Sequence, residues 1–101
     1  MKMFLESEGF EVESFESAQE ANFAITGGTA SMVIMGLAFA DADGEDFLSR
    51  TVRSFRGPVI VVSASVDEYL EEKFISLGVR AAIKKSGPWK ENLRQYLSEI
   101  K

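Results

Sequence analysis

Two short runs in this chain are apolar on every side. "MVIMG" at 32–36 and "PVIVVS" at 58–63 are dense in β-branched and other apolar residues and lie beside turn-forming ones. A strand with one wet face alternates apolar and polar residues, so continuous runs of this length mark strands buried on both faces, the habit of parallel sheets. Between them, "DGEDFLSRTVRSFRG" sets Phe47, Leu48, Val52 and Phe55 at helical spacing, with acids at its start and Arg53, Arg56 and Gly57 at its end. Those charges complement a helix dipole. Strand, helix and strand in this order make a right-handed crossover unit.

The pattern recurs downstream. "SVDEYLEEKFISLG" predicts a helix with Val66, Tyr69, Leu70, Phe74 and Leu77 on one face, Ser65 as N-cap and Gly78 as stop. "VRAAIKK" reads as another short strand. "GPWKENLRQYLSEIK" reads as a closing helix with Pro88 in its first turn and Trp89, Leu93, Tyr96, Leu97 and Ile100 inward. Upstream, "FEVESF" alternates as a half-buried edge strand, "ESAQEANFAITGG" reads as a helix capped by Ser17 and closed by Gly27 and Gly28, and "MKMFLESEG" as the end of a helix. The sum is a single domain over residues 1–101, an α/β fold with about four parallel strands, doubly wound in three layers.

Composition narrows the chemistry. A net charge of -5 argues against nucleic acid, because phosphate binding draws on clustered Lys and Arg, and Arg80, Lys84 and Lys85 are too few for that. The absence of Cys and His excludes disulfides, thiol nucleophiles, histidine bases and most zinc sites. No cofactor, metal or enzymatic activity is expected. The opening residues carry acids where a signal peptide needs an apolar run, and no window approaches a membrane span, so a cytoplasmic location is the expectation.

Taken in order, "GFEVESFESAQEA", "SMVIMGLAFADADGEDFL", "PVIVVSAS" and "LGVRAAIKKS" resemble pieces of one family. They are similar to the second strand and helix, the third strand with its active-site loop, the fourth strand with its hydroxyl residue, and the fifth strand ending in lysine. The family is the receiver domain of bacterial two-component response regulators, CheY-like domains with a flavodoxin-like sheet in the order 2-1-3-4-5. The resemblance implies a place in phosphorelay signal transduction.

It also implies what this chain lacks. The family's third strand ends in an aspartate that accepts a phosphoryl group from a histidine kinase; Gly36 stands at that place. The acid pair that holds magnesium follows the family's first strand, and the sequence begins after that strand's expected end. Ser63 matches the hydroxyl residue and Lys85 the lysine that pairs with the acyl phosphate, so Gly36, Ser63 and Lys85 are expected to outline a vestigial pocket. Ser86 replaces the usual proline after the lysine, and Ala82 the aromatic switch residue. Asp41 and Asp43 in "DADG" are the candidates for a substitute acceptor, although loop acids of this kind ordinarily form turns and cap helices.

The expected function is therefore a degenerate receiver, a pseudo-receiver acting as a phosphorylation-independent protein interaction module. The alternatives are a phosphoaccepting receiver using Asp41 or Asp43, and a small-ligand-binding domain of flavodoxin-like fold. The resemblance places partner contacts on the face of the fourth helix, fifth strand and fifth helix, here Tyr69, Glu72, Ala82, Lys84, Trp89 and Arg94. Asp67, Glu68, Glu71 and Glu72 would meet basic groups there, with Lys84, Lys90 and Arg94 as complement. Trp89 is expected to be a partly buried packing residue first. The partner is a protein or a second copy in a homodimer.

The missing first strand is also a physical problem. In the family order it lies between the second and third strands, so its loss leaves "MVIMG" with an unpaired apolar edge. The second strand can shift across to pair with it, a second copy can pair by symmetry, or a partner strand can insert. A start within a longer receiver is the fourth possibility, and Gly36 would stand at the strand end in that case too.

Overall fold

The most deeply buried strand is β2 (Val59–Ser63), whose first four residues are all shielded from solvent. It pairs in parallel with β1 (Val33–Met35) on one side and β3 (Ala81–Lys84) on the other. The computed structural model describes residues 1–28 and 30–100. Among them the sheet has three strands in the order β1-β2-β3, flanked by α1 (Lys2–Ser7), α2 (Ala18–Thr26), α3 (Gly44–Ser54), α4 (Glu68–Leu77) and α5 (Trp89–Ile100). This is the α/β flavodoxin-like arrangement of a receiver.

Alternate residues of the continuous apolar runs enter two cores. Met35, Val59, Val61 and Ala82 meet Leu48 of α3 and Phe74 of α4 on one face. Ile60, Val62, Ala81 and Ile83 meet Leu5 of α1 and Leu93 and Leu97 of α5 on the other. Burying each large aliphatic side chain contributes about 1.5–3 kcal/mol, so β2, with both faces covered, anchors the sheet.

Helix ends follow local chemistry. Ser17 accepts the Glu20 N–H as N-cap of α2, and Asp43 accepts the Asp46 N–H as N-cap of α3. Gly78 closes α4 at φ 113°, a left-handed conformation that glycine adopts without the steric cost of a Cβ.

Three expectations are corrected. "FEVESF" forms no strand, which reduces the expected four strands to three among the described residues. Its alternation is nonetheless real, for Phe10 and Val12 are half-buried while Glu11 and Glu13 are exposed. Alternation decides which side chains face inward, but a strand needs a ladder, and a cleft separates this segment from β1.

The second correction concerns α4, which starts two residues later than the spacing suggests. Asp67, not Ser65, is its N-cap and accepts the Leu70 N–H at 2.8 Å. Leu70 and Phe74 hold the helix to the sheet, whereas Tyr69 (72% exposed) and Leu77 (41%) lie outward. The third is Ala82, which packs in the core beneath α4 with 7% exposure and so presents no surface to a partner.

Candidate functional site

The C-terminal ends of three adjacent parallel strands bring Gly36, Ser63 and Lys85 to one edge of the sheet. The register pairs Met35 with Val61 and Ser63 with Lys84, and the Lys85 N–H donates to the Ser63 carbonyl at 3.0 Å. The backbones converge, but the side chains have other partners. Ser63 Oγ lies 3.0 Å from Ser65 Oγ and accepts the Ser65 N–H at 3.3 Å. The Lys85 ammonium sits over the Trp89 ring, 5.6 Å from its centroid.

Gly36 is exposed and its φ lies outside the left-handed region. A Cβ at Gly36 would meet only the Val62 carbonyl oxygen, at an ordinary 3.5 Å. No steric demand requires glycine there, and an aspartate would fit. Gly44 is the opposite case, because a Cβ there would overlap the Leu37 carbonyl group. Within "DADG", packing thus fixes Gly44.

Both loop aspartates are occupied. Asp41 accepts the Ala18 N–H at 2.9 Å through Oδ1 and the Gln19 N–H at 3.0 Å through Oδ2. These bonds to the start of α2, Ala18 first, hold its carboxyl below the ordinary carboxylate value of 3.8. Asp43 accepts the Asp46 N–H at 2.9 Å and forms an antiparallel bridge with Ala38 that closes the loop. Sequence reasoning named capping as the ordinary use of such acids; the reach of Asp41 to a helix 23 residues away needed the fold.

The family's magnesium ion does not fit this donor set. Among the described residues no three acidic or histidine side chains are grouped to hold a metal, Gly36 offers no carboxylate, and Asp41 is committed to backbone amides.

On the expected partner face, Tyr69, Glu72 and Lys84 are exposed. Arg94 turns toward α1, where its Nε donates to Glu8 at 2.7 Å and its guanidinium lies 5.5 Å from the Phe4 ring centroid. Trp89 is half-buried, its ring edge-on to Phe4 at 6.0 Å between centroids, with Lys90 5.6 Å from it. This cation–aromatic cluster between α1 and α5 was not anticipated. Its signal was the close spacing of Lys85, Trp89, Lys90 and Arg94, but the contribution of Phe4 is non-local.

Among the described residues no helix is long and apolar enough to cross a membrane. The beginning of the chain adds an open cleft of about 640 Å³ between β1 and residues 9–15.

Comparison with known proteins agrees with this architecture. No curated protein matches the sequence. Among solved structures, the signal receiver domain of a putative Luxo repressor protein from Vibrio parahaemolyticus aligns with a TM-score of 0.83 at 20% identity, covering 97% of this chain and 75% of its own. A CheY-like receiver domain protein from Methanospirillum hungatei gives 0.81 at 23% identity, covering 98% and 79%. The receiver domain of NtrX from Brucella abortus gives 0.83 at 20%, covering 97% and 83%. The model of the response regulator receiver domain matches residues 1–98, and the chain belongs to that family.

Proposed function

We propose that this receiver domain works in two-component signalling without accepting a phosphoryl group, as a phosphorylation-independent protein interaction module in the cytoplasm. The observation that carries the reading is the pairing of Gly36 at the strand end with loop carboxylates already engaged as helix caps. Phosphoryl transfer to aspartate needs a free carboxylate in line with the donor and a metal beside it to neutralise the developing charge. Neither requirement is met by Gly36, Asp41 or Asp43.

The remaining site groups support the same reading. Lys85 rests on Trp89 and Ser63 on Ser65, so neither is held ready for a phosphoryl oxygen. Output then depends on surface contacts, for which Tyr69, Glu72 and Lys84 supply an exposed aromatic group and both signs of charge.

Titration with beryllofluoride and magnesium, followed by amide NMR, tests the proposal. An aspartate able to be phosphorylated would bind the analogue and shift Gly36, Ser63 and Lys85. The expected result is an unchanged spectrum, and saturable shifts at those residues would overturn the reading.

A further inference from the structure

Three cations of this acidic chain are gathered on two rings in the seam between α1 and α5. The Lys85 and Lys90 ammonium groups each lie 5.6 Å from the Trp89 centroid, Lys90 lies 5.9 Å from the Phe4 centroid, and the Arg94 guanidinium lies 5.5 Å from it. The two rings are edge-on at 6.0 Å. A ring face attracts a cation through its quadrupole but has no net charge with which to cancel it. Among the described residues, Arg94 is the one of the three with a carboxylate partner, Glu8, while Lys85 and Lys90 are exposed and have none. The seam is a positive strip in a chain of net charge -5.

The counterpart lies across the sheet, on α4. Glu68, Glu71 and Glu72 are exposed there, spaced so that they are neighbours on the helix surface. The cation of α4, Lys73, is turned to Glu45 of α3 at 2.9 Å, which leaves the three acids without an ion-pair partner among the described residues. Tyr69 stands beside them with 72% exposure, an aromatic surface of the kind that interface cores bury. Phe74 of α4 packs on one face of the sheet, whereas Leu5 of α1 and Leu93 and Leu97 of α5 pack on the other. Acids and cations therefore cannot meet within one molecule, and between two copies their contact is head-to-tail.

A small anion suits the strip less well than an acidic helix does. The cations are distributed along two rings rather than aimed at one point, and a row of carboxylates on a helix surface presents a matching row. Net charge opposes self-association only at long range. At about 0.1 M salt the Debye length is about 10 Å, so the charges in contact dominate over the rest of the molecule.

We infer that the Lys85, Lys90 and Arg94 strip on α1 and α5 receives the acidic surface of α4, Glu68, Glu71 and Glu72 with Tyr69, from a second copy of this chain. The inference rests on the interaction-module reading and names the partner and both surfaces. Because the two surfaces differ, the contact is heterologous, and each copy keeps one surface open for the next. Association is weak and salt-sensitive, as expected for exposed ion pairs.

The test uses the intact chain and two charge-reversed variants, Lys85→Glu/Lys90→Glu and Glu71→Lys/Glu72→Lys, whose circular dichroism should match that of the parent. In sedimentation velocity at about 1 mM protein, the parent should grow past a dimer at about 0.1 M salt and run as a monomer at about 1 M. Each variant alone should associate at least about tenfold more weakly, since like charges then face each other. Mixed in equal amounts, the two should form a 1:1 pair and nothing larger, because each retains the surface that the other has lost. With only Glu71→Lys/Glu72→Lys labelled, amide shifts on mixing should fall in α1 and α5 and not in α4. A parent monomeric at about 0.1 M salt, a discrete dimer that grows no further, a variant that assembles like the parent, or a mixture that does not pair would each overturn the inference. These measurements need neither magnesium nor beryllofluoride, so failure here leaves the phosphorylation reading standing.

Discussion

The Asp41 carboxylate is bound to the Ala18 amide, its Oδ1 accepting that N–H at 2.9 Å while Oδ2 takes the next amide, Gln19, at 3.0 Å. One loop acid therefore joins the turn after β1 to the start of α2. It satisfies two of the amides that every helix N-terminus leaves without an intrahelical partner. The role occupies the group that would otherwise be the nearest substitute for a phosphoacceptor.

Replacing Asp41 with Ala should loosen α2. The expected outcome is faster hydrogen exchange at Ala18 and Gln19 and a lower thermal midpoint, with exchange in β2 unchanged relative to global stability. The pH dependence has a definite sign. The folded-state pKa of Asp41 is depressed below 3.8, so its stabilising contribution is fully present above that value and is lost as pH falls through the depressed folded-state pKa. Acid unfolding monitored by circular dichroism should show that this part of the pH dependence vanishes in Asp41→Ala.

Gly36→Asp should fold. Its Cβ has ordinary van der Waals room beside Val62, so the thermal stability should change by no more than about 0.5–1 kcal/mol, as for an exposed position without special geometry. It should still fail to take up phosphate from acetyl phosphate, because among the described residues no three acids are grouped to hold magnesium. Intact mass measured before and after treatment checks this.

Gly44→Ala should behave differently. Its Cβ would overlap the Leu37 carbonyl, a backbone atom that cannot rotate away, at the first residue of α3. A loss of about 2 kcal/mol or more is expected in urea unfolding, in the range of overpacking substitutions.

Thr51→Val should stabilise the fold. Thr51 is 3% exposed, and its hydroxyl oxygen is buried without a hydrogen-bond partner. An unsatisfied buried polar group costs about 1–3 kcal/mol, and Val keeps the shape while removing that group. A gain of about 1 kcal/mol in the urea midpoint analysis is the expected outcome.

Much of the fold was legible because local signals agreed with the tertiary result. The runs at 32–36 and 58–63, the helix-capping role of Ser17 and the glycine stop at Gly78 depend on neighbours close in sequence, and each is found as expected. Residues 10–15 form no strand despite their alternation, because strand formation requires a partner that no local pattern reports. Ser65 and Asp67 compete as N-caps of α4 with nearly equal intrinsic preference, and the bond between Ser65 and Ser63 leaves the cap to Asp67. At the site, the glycine at position 36 was visible in the sequence. The occupation of Asp41 by Ala18 and the stacking of Lys85 on Trp89 depend on how the elements pack.

Intact mass spectrometry after incubation with acetyl phosphate and magnesium, repeated after hydroxylamine treatment, addresses the central claim most directly. The account predicts an unchanged mass in both spectra. A mass increase of one phosphoryl group that hydroxylamine removes would identify an acyl phosphate and contradict it.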